Sequence, residues 1–385
     1  MIKKIFGVGA TLFIIIFAIF LLWFSVFDGI DVIEEKTSVP EEPRGTETGF
    51  YYKNLEDTEK IAYELIVEKI ENMPSRIRIP YLDDEGLSHV FEALLYDNPK
   101  YFFLSDNCKA ETTAFGKTYF VPQYIMSAAE YVQKLEELEK VREVMEIKTD
   151  RISEKSKKEQ IIHDYIIDKC RYADKTGGEY SSVYGCLVNG IASCEGYAKS
   201  MKYLLDDVGI ENYIVTGTTV TGEGSPQGHA WNIVEIDKKH YHVDATWDDP
   251  DENAVENRYA YFNITDEEIS LTHDVEDRFL GRCDETEHSY YVENGLYFTD
   301  FDKAVREALT QELVRKANLK TDVVSFRMSD KKAVEKAKEE LFQLNEIYSI
   351  LLDASILTDE ILADDSISYA VDEKHNIIVI TDFIE

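Results

Sequence analysis

Three short segments of this chain bring together a thiol, an imidazole and a carboxylate. They are Ala-Ser-Cys-Glu-Gly-Tyr-Ala over 192–198, Gly-His-Ala-Trp-Asn over 228–232 and His-Val-Asp-Ala-Thr-Trp over 242–247. Cys194, His229 and Asp244 in that order are the set a nucleophilic thiol needs. The thiol is mostly protonated at neutral pH, so a base must take its proton, and a third group must orient the base. These three are the candidate catalytic residues.

Each sits where a regular element should hold it. Ser193 suits a helix N-cap, and Ala198, Met201, Leu204, Leu205 and Val208 form an apolar stripe behind it. Gly209 suits the C′ position. Cys194 then lies in the first turn, among unpaired N–H groups and at the positive end of the helix dipole, both of which favour a thiolate. His229 opens a strand over 229–235 and Asp244 belongs to a strand over 240–246, with a polar turn at Asp237-Lys238-Lys239. A turn of even length would pair Glu235 with His240. Asp244 would then stand opposite Trp231 and diagonal to His229, about 7–8 Å away on the same face. An odd turn would separate the two residues.

These residues resemble the transglutaminase-like superfamily. The resemblance runs from Tyr184 to Pro250 through Tyr-Gly-x-Leu at 184–187, Cys-Glu-Gly-Tyr-Ala at 194–198, His-Ala-Trp-Asn at 229–232 and Val-Asp-Ala-Thr-Trp-Asp-Asp-Pro at 243–250. It implies an α+β fold with a papain-like core, Cys on a helix N-terminus and His and Asp on adjacent antiparallel strands. It also implies that Cys194 attacks an amide carbonyl, His229 moves the proton and Asp244 orients His229. Eukaryotic members join glutamine to lysine, usually with calcium, whereas many bacterial relatives look like proteases, amidases or transpeptidases. No Asp-x-Asp-x-Asn-Gly calcium loop is present, and no cofactor or metal is expected. The N–H of Cys194 is an expected oxyanion donor, with Tyr184 or Asn189 as side-chain candidates.

Other polar residues read as structural. His163-Asp164 lies between Ile161-Ile162 and Ile166-Ile167, which suits a packed, hydrogen-bonded histidine. His240 and His242 alternate along one strand with no partnering ligand pair in view, and the acidic run 248–252 reads as a solvated turn. Trp231 and Trp247 suit either the walls of a cleft or the core. Asn263-Ile-Thr265 matches a glycosylation triplet. The remaining cysteines, Cys108, Cys170, Cys186 and Cys283, are too few and too scattered for a disulfide scaffold and form no zinc pair.

The whole chain has 385 residues and a formal charge of −34. That charge argues against nucleic acid as a partner and against docking on anionic lipid. Residues 5–27 carry no charge and are long enough to span a bilayer. Lys3 and Lys4 before them and Asp28, Asp31, Glu34 and Glu35 after them orient the N-terminus to the cytoplasm. The expected order is a stub (1–4), a transmembrane anchor (5–27), a polar linker (28–49), a mostly helical accessory region (50–153), the transglutaminase-like domain (154–300) and a small α+β unit (301–385). A helix over 331–353 and a hairpin joining 366–371 to 377–382 are expected in the last unit. The reading is a single-pass membrane thiol enzyme with an extracytoplasmic body. It would act on amide bonds of proteins or peptides, cell-wall peptides included, by hydrolysis rather than cross-linking, since nothing marks an amine-acceptor site. The alternative is a non-catalytic cell-surface binding module on the same fold.

Overall fold

The computed structural model describes residues 39–219, 225–249, 257–276, 281–362 and 367–384. The expected anchor at 5–27 lies outside them. Among the described residues no helix is long and apolar enough to cross a membrane.

A five-stranded antiparallel sheet organises the site. Its order is His273–Val275, Asn212–Thr219, Gln227–Ile236, Lys239–Val243 and Phe262–Ile264. The turn between the third and fourth of these is the two-residue, even turn. Asp237 and Lys238 both have positive φ, 52° and 67°, the conformation that matches the twist of a tight hairpin. Glu235 pairs with His240 as expected, and the ladder runs on to Asn232 and Val243. Side chains alternate along a strand. The same register therefore assigns His229, Trp231, Ile233, His242, Gly217 and His273 to one face and Ala230, Asn232 and Ile214 to the other.

The helix Cys194–Asp207 packs on that second face. Ala198 meets Ile214 and Ala230, and the Asn232 side-chain amide donates to the Ala198 carbonyl at 3.0 Å. Ala198, Met201, Leu204 and Leu205 are buried as the stripe required, and Gly209 takes φ +73° at the C′ position. Ser193 stands at the N-cap, but its hydroxyl bonds the Tyr180 carbonyl at 3.2 Å rather than the helix. The first-turn N–H groups around Cys194 are thus not spent on a cap. Gly196 permits the close seat of this turn. A Cβ there would lie 2.6 Å from the Tyr180 carbonyl oxygen and 2.7 Å from the Ala192 Cβ.

Residues before the core form the helices Asp57–Ile70, Asp84–Asp97, Ala128–Thr149 and Lys155–Lys169. The expected helical region also holds a three-stranded sheet of Ile77–Ile79, Thr118–Tyr124 and Leu104–Thr112. After the core, the helix Lys303–Asn318 covers a sheet of Tyr297–Phe298, Val323–Met328, Ile377–Thr381 and Ser368–Asp372. The expected long helix over 331–353 runs from Lys331–Lys338 through a π-helical turn, Glu339–Gln343, and is broken before Glu346–Ser355. Asn345 turns the chain between them at φ +62°, a conformation asparagine tolerates and a helix cannot contain. One hydrophobic cluster runs through all of these parts, from Tyr52 to Phe383.

Candidate active site

Cys194, His229 and Asp244 meet at one end of the sheet. His229 Nε2 lies 2.6 Å from Asp244 Oδ2, with both side chains almost wholly buried. A carboxylate only accepts, so Nε2 carries the proton and the other nitrogen remains for the thiol. Cys194 lies beside His229, close enough to act on it, and is itself half-buried against the cluster of Ala198, Ile214 and Ala230. Burial alone would lower the pKa of His229. The charge and hydrogen bond of Asp244, helped by Cys194, outweigh it and raise the pKa to about 10. Burial would likewise raise Asp244, but the His229 charge and the hydrogen bonds from His229 and His273 hold it well below the usual carboxylate range. This balance keeps the imidazole charged beside the thiol at neutral pH.

Asp244 is not inside a strand, as the sequence suggested, but is the first residue beyond one. Its Oδ1 accepts the N–H of Thr246 at 3.0 Å and that of Trp247 at 3.3 Å, which folds the chain into a turn. A second carboxylate clamps this turn. Asp248 is buried, not solvated. Its N–H returns to the Asp244 carbonyl, one carboxylate oxygen accepts the Tyr261 N–H at 2.9 Å, and the other lies 3.2 Å from His163 Nε2. The Tyr197 hydroxyl, from the Cys194 helix, donates to Asp249. The repeated carboxylates after Val243 thus tie the triad aspartate to the helix Lys155–Lys169 and to the nucleophile helix.

His163 is the packed, hydrogen-bonded histidine expected, with Asp248 as a partner invisible at 85 residues' separation. Burial would lower it, but Asp164 and Asp248 raise it to about 9. The pH dependence of stability follows from the two raised histidines. A raised pKa contributes stability in full below the unfolded value, about 6.5, and loses it as pH rises through the folded value. The urea midpoint should therefore fall between pH 7 and about pH 10.5, through the folded values of about 9 and about 10. Burial raises Asp248 only to about 6, so its contribution, which falls with rising pH in the same sense, is already lost before this window opens. A midpoint flat across the range would mean that neither imidazole is charged in the folded protein.

The oxyanion candidates fare differently. The Tyr184 hydroxyl donates to Glu137 at 2.6 Å and the Asn189 amide to Glu179 at 3.1 Å, so both side chains are engaged away from the triad. The N–H of Cys194 keeps its place at the start of the helix. Trp231 belongs to the core, stacked beside His229 with ring centroids 5.8 Å apart, while Trp247 is half-buried over the same imidazole. Asn263 of the glycosylation triplet is fully buried, its amide bonded to Glu159.

Two groupings were not legible in the sequence. His273 joins His229 and Asp244, and Asp266 and Cys283 join His242. In the second group the Trp231 indole N–H donates to His242 Nδ1 at 3.0 Å. The other ring nitrogen must then carry the proton, which it gives to Asp266 at 2.9 Å. Both ring nitrogens of His242 are used, one accepting and one donating, so it is a hydrogen-bond relay rather than a free ligand. Burial pushes the Cys283 thiol up. All five cysteines are free of disulfides.

The family model of the transglutaminase-like superfamily matches residues 138–245. The chain carries a transglutaminase-like domain. The match starts within the helix Ala128–Thr149, takes in Cys194, His229 and Asp244, and stops before His273. The transglutaminase-like domain thus sits in a mixed α+β protein whose flanking parts lie beyond the match. Among solved structures, a TGase shares 16% identity over 44% of this chain and 50% of its own, at a TM-score of 0.26. A candidate cysteine protease from Cytophaga hutchinsonii shares 12% over 36% of this chain and 61% of its own, at 0.25. A candidate protease from Parabacteroides distasonis shares 12% over 35% of each chain, at 0.22. The chain spans less than two thirds of each, and likeness at this level says nothing of activity. No curated protein matches the chain.

Proposed function

We propose that this protein is a thiol enzyme that opens amide bonds of proteins or peptides through an acyl-enzyme on Cys194, and that water is its main acceptor. The observation that carries the reading is the buried His229–Asp244 hydrogen bond at 2.6 Å with the Cys194 thiol beside the same imidazole. With the thiol proton held on His229, the sulfur adds to the carbonyl carbon. The tetrahedral oxyanion faces the first-turn N–H groups, that of Cys194 among them. The imidazolium then passes its proton to the departing amine, leaving a thioester. Water attacks the thioester as His229 accepts its proton, and the carboxylic acid leaves with the thiol restored. Asp244 stays ionised throughout and keeps the imidazole in one tautomer. The half-buried position of Cys194, which leaves the thiol open to solvent on one side, favours water as acceptor. The uncharged run 5–27 is proposed as a membrane anchor that carries this body on the extracytoplasmic side.

The test is to incubate the protein with a casein substrate and a fluorescent primary amine. Cleavage or release of ammonia without amine incorporation supports hydrolysis. Incorporation of the amine as the dominant product would reassign the enzyme to cross-linking. Neither product, together with a Cys194 that iodoacetamide alkylates no faster than free cysteine at pH 6, would leave a binding module.

A further inference from the structure

Asp244 holds two imidazoles, and one of them lies outside the matched domain. His273 Nε2 is 3.1 Å from the same Oδ2 that His229 contacts at 2.6 Å. We propose that His273 is a positioning residue of this centre: its ring N–H keeps Asp244 ionised and aligned, and Asp244 in turn holds His229 against Cys194. The inference rests on the thiol-enzyme reading above.

The hydrogen-bond directions follow from the chemistry of each group. Asp244 can only accept, so His273 Nε2 donates. The Nδ1 of a neutral ring must then accept, and the Thr272 hydroxyl stands 2.8 Å away to supply the proton. The line Thr272, His273, Asp244 is satisfied at both ring nitrogens. Packing fixes it. The His273 ring centroid lies 4.7 Å from Trp247, 4.9 Å from Trp231 and 5.6 Å from Tyr261, and its side chain is sealed from solvent. An imidazole held at both nitrogens and on three rings is a donor with one orientation.

The need for it is visible at Asp244. Oδ1 is taken by two backbone N–H groups, so without His273 the buried Oδ2 would have His229 alone. A dry carboxylate short of donors binds protons more readily. The other titratable groups around the pair are Cys194, Tyr172, Tyr261 and Asp248. None of these supplies a hydrogen bond to Oδ2 in the structure. Loss of His273 should therefore let Asp244 take up a proton at a higher pH. The imidazolium beside Cys194 would lose its anion there, and the acid limb of thiol reactivity would move up.

The experiment follows alkylation of Cys194 by iodoacetamide from about pH 4 to 9, site-resolved by mass spectrometry, in the wild type, His273→Leu and His273→Gln. The leucine variant should react about ten-fold more slowly near pH 5 and shift the acid limb upward by about one pH unit, the equivalent of that ten-fold. The glutamine variant, whose amide N–H can reach Oδ2, should recover most of the rate. The His229 Nε2 proton should also give a low-field NMR resonance that moves in His273→Leu and returns in His273→Gln. Two folded variants with the wild-type pH profile and resonance would overturn the assignment of His273 alone. A wild-type Cys194 no more reactive than free cysteine would overturn the thiol-enzyme reading, and this inference with it.

Discussion

Cys194→Ala will abolish turnover while leaving the fold almost untouched. Removing the nucleophile of a triad costs on the order of 10⁶ in kcat, because no other group here can form the acyl intermediate. The remaining cysteines offer no substitute. Cys170, Cys186 and Cys283 are buried, and burial pushes the Cys108 thiol up to about 11. The structural cost should be small. The side chain is half-buried and packs against the cluster of Ala198, Ile214 and Ala230. A change in unfolding free energy below about 1.5 kcal/mol is expected. Rates on the casein substrate and a urea titration check the two halves. Turnover within ten-fold of the wild type would exclude the acyl-enzyme on Cys194.

Asp244→Asn should have the next largest effect, and it should reach stability as well. The asparagine fits the same space, and its oxygen can still accept the N–H groups of Thr246 and Trp247. Its amide NH₂ then faces His229 Nε2 and His273 Nε2, both of which are donors. Three donors meet with no acceptor, so the imidazoles must change tautomer or turn away. The comparable change in a serine protease lowers kcat by about 10⁴, and a loss of about 10²–10⁴ is expected here. The variant should also unfold at lower urea at pH 7. The depressed pKa of Asp244 contributes stability above the unfolded value, about 3.9, and loses it as pH falls through the lower folded value. The gap between wild type and variant should therefore narrow as the medium is acidified below pH 4. Kinetics within two-fold of the wild type would make Asp244 a purely structural carboxylate.

Much of the site could be read because its parts are local. Ser193, the stripe from Ala198 to Leu205 and Gly209 mark one helix within seventeen positions, and the helix observed is Cys194–Asp207. The pairing of Glu235 with His240 depended on the parity of one short turn. Errors arose where a side chain found a remote partner. Asp248 looked like part of a solvated acidic run because nothing nearby announces His163 or the Tyr261 N–H. The strand expected to reach Thr246 ends at Val243 because the Asp244 carboxylate captures the backbone ahead of it.

The sequence by itself determined the reacting groups, their chain order and the helix and hairpin that carry them, since periodicity, caps and turn parity act over a few residues. Tertiary structure alone decided the surroundings that tune those groups. His273 lies 29 residues beyond Asp244, on an edge strand whose three residues carry no motif. Its place depends on sheet order, which brings Thr219 opposite His273 and Gly217 opposite His229. Gly217 adds a close approach, since a Cβ there would lie 2.2 Å from the Asp274 carbonyl oxygen and 2.9 Å from the Trp231 ring. Burial and charge in such a place depend on everything packed around it, and no local pattern in the chain encodes that sum.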